Sequence, residues 1–507
     1  MTASLWFGGE DLSVAELERR AACAAAGLAA AGVGEDDVVA LMLRNEPVFV
    51  EAMLACRRLG AYHCPINWHF KAAEAGFILR DSGAKLLVIH ADLLPQIEAG
   101  IPETVQVVLA EPSAYTRKSY GIDPVAVPPI FPEWSSWRDR HPPWAQQARL
   151  PRGNMPYTSG TTGQPKGVRR KPADEAQRKL VAELYRVALG VEAGMRALVS
   201  APLYHSAPNL YAVQAVLNGE LLVIEPRFDA EATLSLIERH RLTNLYLVPT
   251  MFVRLLKLAA EVRRRYDLSS VHFVSSTGSP CAPEVKRAMI EWWGPIINET
   301  YAASETGHVT FIDSSEWLKR PGSVGRAFGG ASLKILDDDG RELPPGKIGA
   351  IYVRQPAYPD FTYANNPAAR AALERAGLWS VGDLGYLDDE GHLYIADRKS
   401  DMVISGGVNI YPAEIEAVLL CMPGVADCAV FGIPDAEFGE ALAAAVQLHP
   451  EERLLEKEIQ DYLRERIAGY KVPRTVTFHE TLPREDSGKI FKRLLREPYW
   501  RNAGRRI

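Results

Sequence analysis

Short apolar runs, each about the length of one strand, recur along the first half of the chain. They are Asp37–Leu43, Ala84–Ile89, Val105–Leu109, Ala197–Ser200, Glu220–Ile224, Asn244–Val248 and Val271–Ser275. Runs so short and so rich in Val, Ile and Leu predict strands covered on both faces. Helical patterns separate them. Val14–Ala31 closes at Gly32, and Ser13 with Glu16 three residues on predicts a capping box at its start. Pro47–Leu59 is a second helical stretch. This alternation restricts the fold to layered α/β with parallel sheets.

The texture changes after about residue 320. ASLKILDDDGRELPPGKIGAIYVR reads as strand, turn, strand, and GYLDDEGHLYIADRKSDMVI repeats that logic with DDEG as the turn. A β-rich subdomain is expected there. The Asp388–Glu390 cluster is read as a hairpin turn, not a metal site. Beyond Tyr411, a helix (Ala413–Leu420), two strands (Asp427–Phe431, Leu442–Leu448) and a helix (Glu456–Ile467) suggest a compact α+β unit. The expected division is 1–396 for a large N-terminal domain and 397–507 for a small C-terminal one.

Composition narrows the class of function. The 507 residues are 47% hydrophobic and 24% charged, ordinary for a globular protein. A net charge of −6 argues against a nucleic-acid partner. The basic ending KIFKRLLREPYWRNAGRRI is read as a solvated tail. Six cysteines at 23, 56, 64, 281, 421 and 428 form no CxxC pair and no metal-ligand spacing. Reduced, mostly buried thiols in a cytoplasmic protein are expected. No charged-then-apolar leader opens the chain, and no run of about 18 apolar residues spans a bilayer.

One stretch suggests chemistry. Thr158–Gly167, TSGTTGQPKG, holds three Gly, three Thr, one Ser, one Pro and one Lys. Glycines let successive N–H groups face one concavity, the hydroxyls of Thr158, Ser159, Thr161 and Thr162 add donors, and Lys166 adds charge. That is a cradle for an anion. It is not a Walker A loop, because Gly167 follows the lysine where Ser or Thr is required. Taken alone, a solvated Gly-rich loop explains it equally well.

Six further segments shift the balance: PLYHSAPN (202–209), SSTGSPC (275–281), NETYAASETG (298–307), WSVGDLGYLDDEG (379–391), ADRKSDMVISGGVNIYPAEIE (396–416) and LPREDSGKIFKR (482–493). Tyr301 offers a face for adenine. Asp383 can accept from ribose hydroxyls. Glu305 is a hard oxygen ligand suited to Mg²⁺. Lys166, Arg398 and Lys489 can neutralise phosphate. His205 taken alone reads as a core or surface histidine. Order and co-occurrence carry the reading, not any one residue.

The chain resembles the adenylate-forming (ANL) superfamily of acyl-CoA synthetases, peptide-synthetase adenylation domains and firefly-type luciferases. The motifs run in that family's order from about residue 10 to residue 493, and TSGTTGQPKG and GDLGYLDDEGHLYIADRKSDMVISGGVNIYP are specific to it. The resemblance implies a large N-terminal domain of layered α/β sheets with a β-rich subdomain, and a small mobile C-terminal lid hinged near Asp397. It implies that Thr158, Ser159, Gly160, Thr161, Thr162, Gly163 and Lys166 grip the ATP phosphates. Gly278 and the backbone of Glu299 and Thr300 would border an adenine stacked on Tyr301. Ser304 and Glu305 stand where the family has Thr-Glu, and Ala302 replaces the usual Gly. Asp383 would hold the ribose, Arg398 the ribose or phosphate, and Lys489 would bridge the acid and the α-phosphate. Glu305 would hold Mg²⁺. His205, with Ser206 and Asn209, would border the acyl pocket, and Gly406 and Gly407 the pantetheine tunnel. The catalytic set implied is Lys489, Glu305, His205, Thr161 and Lys166.

The implied activity is acyl-CoA synthesis from a carboxylic acid, ATP and coenzyme A, releasing AMP and pyrophosphate. PLYHSAPNLYAVQAV has no acid to hold an amino group, which favours a medium- or long-chain or alicyclic fatty-type acid over an amino acid. An aryl acid stays open, as does transfer to a carrier protein. A catalytically silent nucleotide-binding protein is disfavoured by the intact Glu305, Asp383, Arg398 and Lys489. A homodimer is compatible with the chain but not specified by it.

Overall fold

The computed structural model of the chain describes residues 3–158, 165–279, 281–406, 408–435, 437–484 and 490–501. The apolar runs are strands, and their neighbours explain their composition. Val38–Met42 is buried along its whole length in a four-stranded parallel sheet with Tyr62–Pro65, Ala84–His90 and Gln106–Ala110. Helix Pro47–Leu59 has the predicted limits, with Pro47 in its first turn and Gly60 in the left-handed region just after it.

A nine-stranded sheet forms the body of the N-terminal part. Its centre is parallel: Ile297–Ala303, Phe273–Ser276, Asn244–Leu247, Arg196–Val199, Leu221–Ile224 and Ser4–Phe7. Antiparallel strands close both edges. Its apolar faces merge with those of the surrounding helices into one large core. The β-rich texture after residue 320 is a six-stranded sheet that includes the expected hairpins Ser332–Leu336/Gly349–Arg354 and Asp383–Leu387/Leu393–Arg398. The DDEG stretch is the turn of the second hairpin, with Gly391 N–H donating to Asp388 O. A small three-stranded sheet joins Tyr157–Thr158, Lys166–Arg170 and Phe361–Tyr363.

Residues from Val403 to Val476 form a core of their own around a five-stranded sheet. Two of its strands exceed expectation. Val425–Asp435 runs past Phe431 because its partner Gly439–Leu448 is equally long and holds even Pro434 and Asp435 in register. The ladder overrides the local turn signal of Pro and Asp.

Two further expectations need correction. The basic ending is not simply a solvated tail. Lys492–Trp500 is a helix whose Leu495 and Tyr499, four residues apart, pack with Phe431 and Leu482. The Trp500 indole N–H donates to Gly432 O at 3.0 Å. The capping box is half formed: Ser13 Oγ accepts from Glu16 N–H, but the Glu16 carboxylate accepts instead from Arg19 and Arg20. Two guanidiniums outbid one backbone N–H.

A buried ion pair lies behind the strand that carries Tyr301. Lys286 and Glu299 are both at most 5% exposed; Lys286 Nζ donates to Glu299 Oε2 at 2.7 Å and lies 4.9 Å from the Trp317 ring centroid. Removing one member strands the other charge. Lys286→Met is expected to destabilise the protein by about 3–5 kcal/mol, with much of the loss recovered by Glu299→Gln in the same chain. Urea denaturation monitored by tryptophan fluorescence measures both, and a single variant within about 0.5 kcal/mol of the parent would contradict the pairing.

Candidate active site

The strand Ile297–Ala303 leaves the large sheet, turns through Ser304–Thr306 and returns as Gly307–Ile312. This turn presents Glu305. The carboxylate is 6% exposed. Thr158 Oγ1 donates to its Oε1 at 2.9 Å, and the Tyr363 hydroxyl donates to the same oxygen at 3.0 Å. Burial, followed by the charge of Glu305, pushes the Tyr363 phenol up, so it stays a donor. Gly307 closes the turn at φ 70°, and a Cβ there would overlap the Tyr358 ring at 2.1 Å. Only glycine permits that stacking.

Thr158 and Lys166 stand directly opposite each other in the antiparallel pair that brackets residues 159–164. Ser159, Gly160, Thr161, Thr162 and Gly163 lie outside the described residues. Lys166 Nζ is 5.3 Å from the Tyr363 ring centroid, so its charge is held beside the Glu305 turn.

A second cluster lies on the same strand. The Tyr301 hydroxyl donates to Asp383 Oδ2 at 2.6 Å, and Arg398 Nε lies 3.4 Å from Asp383 Oδ1. Asp383 and Arg398 are direct register partners across their hairpin. Burial first, and then the Asp383 carboxylate, push the Tyr301 phenol well up. The aromatic platform, the carboxylate and the cation are therefore one connected unit. The Glu299 carboxylate is turned into the core by Lys286, and the Thr300 hydroxyl donates to Thr310 O at 2.7 Å. Both side chains are thus engaged within the protein. Gly278 follows strand Phe273–Ser276 at φ 93°, and a Cβ there would meet only Val248 at 3.9 Å. Glycine is needed there for conformation, not for room.

His205 is the N-cap residue of helix Ser206–Asn218, with its ring 4.5 Å from that of Tyr204. The Ser206 hydroxyl accepts from Asn154 Nδ2 at 3.0 Å. Asn209 is expected at the border of the acyl pocket. It is 2% exposed, its Nδ2 donates to Leu203 O at 3.0 Å, and its Oδ1 accepts from His63 Nε2 at 2.9 Å. Its amide ties helix to strand, because a buried amide must satisfy both ends. Gly406 N–H donates to Phe438 O. Gly407 and Lys489 lie outside the described residues.

No group of three or more His, Cys, Asp or Glu side chains suited to a metal occurs among the described residues. One oriented carboxylate is nevertheless the usual protein share for a Mg²⁺ carried by phosphate oxygens, so Glu305 fits that ion. Three groups escaped sequence reasoning: Tyr363, Arg170 and Lys286. Period-two spacing puts Arg170 on the face of Lys166, which was a usable signal. Nothing local marks Tyr363 or Lys286.

Known proteins resemble this chain along nearly its whole length. Residues 1–358 match the AMP-binding enzyme family, and residues 414–489 match the AMP-binding enzyme C-terminal domain. The chain belongs to this adenylate-forming family, in its CoA ligase branch, and is an acid–thiol ligase. A feruloyl-CoA synthase of Amycolatopsis sp is 34% identical over 497 residues, covering 96% of this chain and 93% of that one. The long-chain-fatty-acid–CoA ligase FadD13 of Mycobacterium tuberculosis is 33% identical over 480 residues, covering 93% and 90%. The o-succinylbenzoate CoA synthetase MenE of Bacillus subtilis, solved with an acyl-adenylate intermediate, superposes with a TM-score of 0.80 at 29% identity, covering 97% of this chain and 94% of that one. Among the described residues, no helix is long and apolar enough to cross a membrane.

Burial around the site makes stability depend on pH. Burial lowers the His63 imidazole from 6.5 to about 4. The unfolded chain therefore binds a proton that the folded chain refuses, and stability falls as pH drops from about 6.5 toward about 4. Between pH 7.5 and pH 5.0 the parent should lose about 2 kcal/mol more than His63→Gln. Urea midpoints at the two pH values measure this, and parallel losses would contradict it.

Proposed function

We propose that the protein joins a carboxylic acid to coenzyme A through an acyl-adenylate. The observation that carries the reading is the pairing of two clusters, one on strand Ile297–Ala303 and one on the turn that follows it. Tyr301–Asp383–Arg398 suits a nucleoside, and Glu305, held by Thr158 and Tyr363, sits beside the segment that begins at Thr158 and ends at Lys166.

In the first half-reaction a carboxylate oxygen attacks the α-phosphorus, the bond to pyrophosphate breaks, and charge grows on the departing oxygens. Tyr301 and Asp383 hold adenine and ribose, so the α-phosphate is presented at a fixed place. In this reading the hydroxyls and N–H groups of the segment from Thr158 to Lys166 would meet the phosphates, and Lys489 the α-phosphate. Glu305 would hold Mg²⁺, which neutralises triphosphate charge when bound. In the second half-reaction the thiol of CoA attacks the acyl carbonyl and AMP leaves. Lys489 would obstruct that approach, and we place it on a separate domain, residues 397–507, that rotates about Asp397 and brings Gly406 and Gly407 to the thiol.

The favoured acid is a medium- or long-chain or alicyclic fatty-type acid. Helix Ser206–Asn218, which follows His205, carries no carboxylate to recognise an amino group. The feruloyl-CoA synthase relative supports an aryl acid as the second reading. A panel of short, medium and long aliphatic acids, alicyclic acids, cinnamates and benzoates, scored for CoA-dependent AMP release, separates the two. Uniform silence across the panel would sink both.

Lys489→Ala is expected to lower adenylation by about 10²–10³-fold or more, as loss of one preorganised charge does. It should largely spare thioester formation from a supplied acyl-adenylate. Pyrophosphate release and thioester yield measure the two steps, and equal losses would refute the division of labour.

A further inference from the structure

Arg170 ends strand Lys166–Arg170, four residues beyond the lysine beside the Glu305 turn. Its side chain runs toward that turn and makes three contacts with main-chain oxygens. Nη2 donates to Ser304 O at 2.9 Å and also to Glu305 O, and Nη1 donates to Pro359 O at 2.8 Å. The guanidinium lies 5.4 Å from the Tyr358 ring centroid and 5.6 Å from that of Phe361. Tyr358 is the ring stacked on Gly307 at the far end of the same turn. The Arg170 carbonyl in turn accepts from the Tyr62 hydroxyl at 2.6 Å. Among the described residues Arg170 forms no ion pair with a carboxylate; its partners are carbonyl oxygens.

Each strand of the small three-stranded sheet therefore sends a hydrogen-bond donor to the Glu305 turn. Thr158 and Tyr363 hold one carboxylate oxygen, and Arg170, from the strand between them, holds the main chain. A rigid planar fork with five donors can satisfy carbonyls from two chain segments at once, which an ammonium on a flexible stem does less well. Fixing the main chain at Ser304 and Glu305 fixes the origin of the side chain that must meet the metal.

We infer that Arg170 is a positioning residue: its guanidinium sets the Glu305 carboxylate for a divalent cation carried by the nucleotide, without touching either. The inference rests on the adenylating reading above.

The test uses the full-length protein, Mn²⁺ as the probe and an ATP analogue with a methylene between the α and β phosphates. Electron paramagnetic resonance reads Mn²⁺ bound to the protein–analogue complex, and calorimetry reads metal-free AMP binding. Arg170→Met should weaken Mn²⁺ binding by about 10-fold or more, the usual cost of removing a group that orients a metal ligand. AMP affinity should stay at the parent value, because Tyr301 and Asp383 are untouched. Arg170→Lys should fall between the two, and it carries the test if Arg170→Met does not fold. Unchanged Mn²⁺ affinity in the variants, or Mn²⁺ and AMP weakened in parallel, would overturn the inference and leave Arg170 a packing residue. If the parent itself neither binds the Mn²⁺–analogue complex nor turns over ATP with any acid, the adenylating reading fails instead.

Discussion

The carboxylate of Glu305 has to be held still in a nearly buried turn, and the architecture around it follows from that need. A turn of this kind exposes main-chain carbonyls and one charged side chain where little water reaches them. Left alone, each group would carry a desolvation penalty. Thr158, Tyr363 and Arg170 remove it by hydrogen bonding, and each comes from a different strand of one small sheet. That sheet joins residues near 160 to residues near 360, so the segment 159–164 and the Glu305 turn are tied at their bases.

The same economy governs the neighbouring charges. Tyr301, Asp383 and Arg398 bind one another across two sheets, which orders an aromatic ring, a carboxylate and a cation as one unit. Preorganisation of this sort lowers the reorganisation needed at the reacting centre. Lys286 neutralises Glu299, two residues from Tyr301 along the same strand, and the Glu299 carboxylate is thereby held in the core.

In the C-terminal part, Asp397 and the last helix are linked electrostatically. Lys492 Nζ lies 2.7 Å from Glu416 Oε1. Burial opposes its charge, but Glu416, Asp397 and Asp401 outweigh that and raise its pKa. Asp397 Oδ2 accepts from Ala413 N–H, and Arg496 Nη1 donates to Ser400 O. The final helix is thereby docked on the chain that follows strand Leu393–Arg398. A basic composition concealed this role, because a run of Lys and Arg looks solvated until its acidic partners are known.

Read locally, the residues predicted a great deal. Apolar runs specified seven of the parallel strands to within a residue or two, since burial on both faces demands continuous Val, Ile and Leu, but Ser4–Phe7, Tyr62–Pro65 and Ile297–Ala303 were not read from the sequence. Helix Pro47–Leu59 was bounded by its own proline and glycine. The Asp383–Arg398 hairpin was marked by its turn, and the residues expected at the nucleotide came from short contiguous motifs. Those properties depend on neighbours in sequence. The grip on Glu305 does not: its partners are 147, 135 and 58 residues away. Sheet order and chain path brought them together, and both are set by how whole layers pack. Asn209 makes the same point, since only the arrival of His63 from 146 residues away turned its amide inward. The amino-acid order by itself determined which segments become most of the strands and helices, and the family to which the chain belongs. Tertiary structure alone decided which donors meet which acceptors, because a hydrogen bond between remote segments is selected by three-dimensional proximity, which no local pattern encodes.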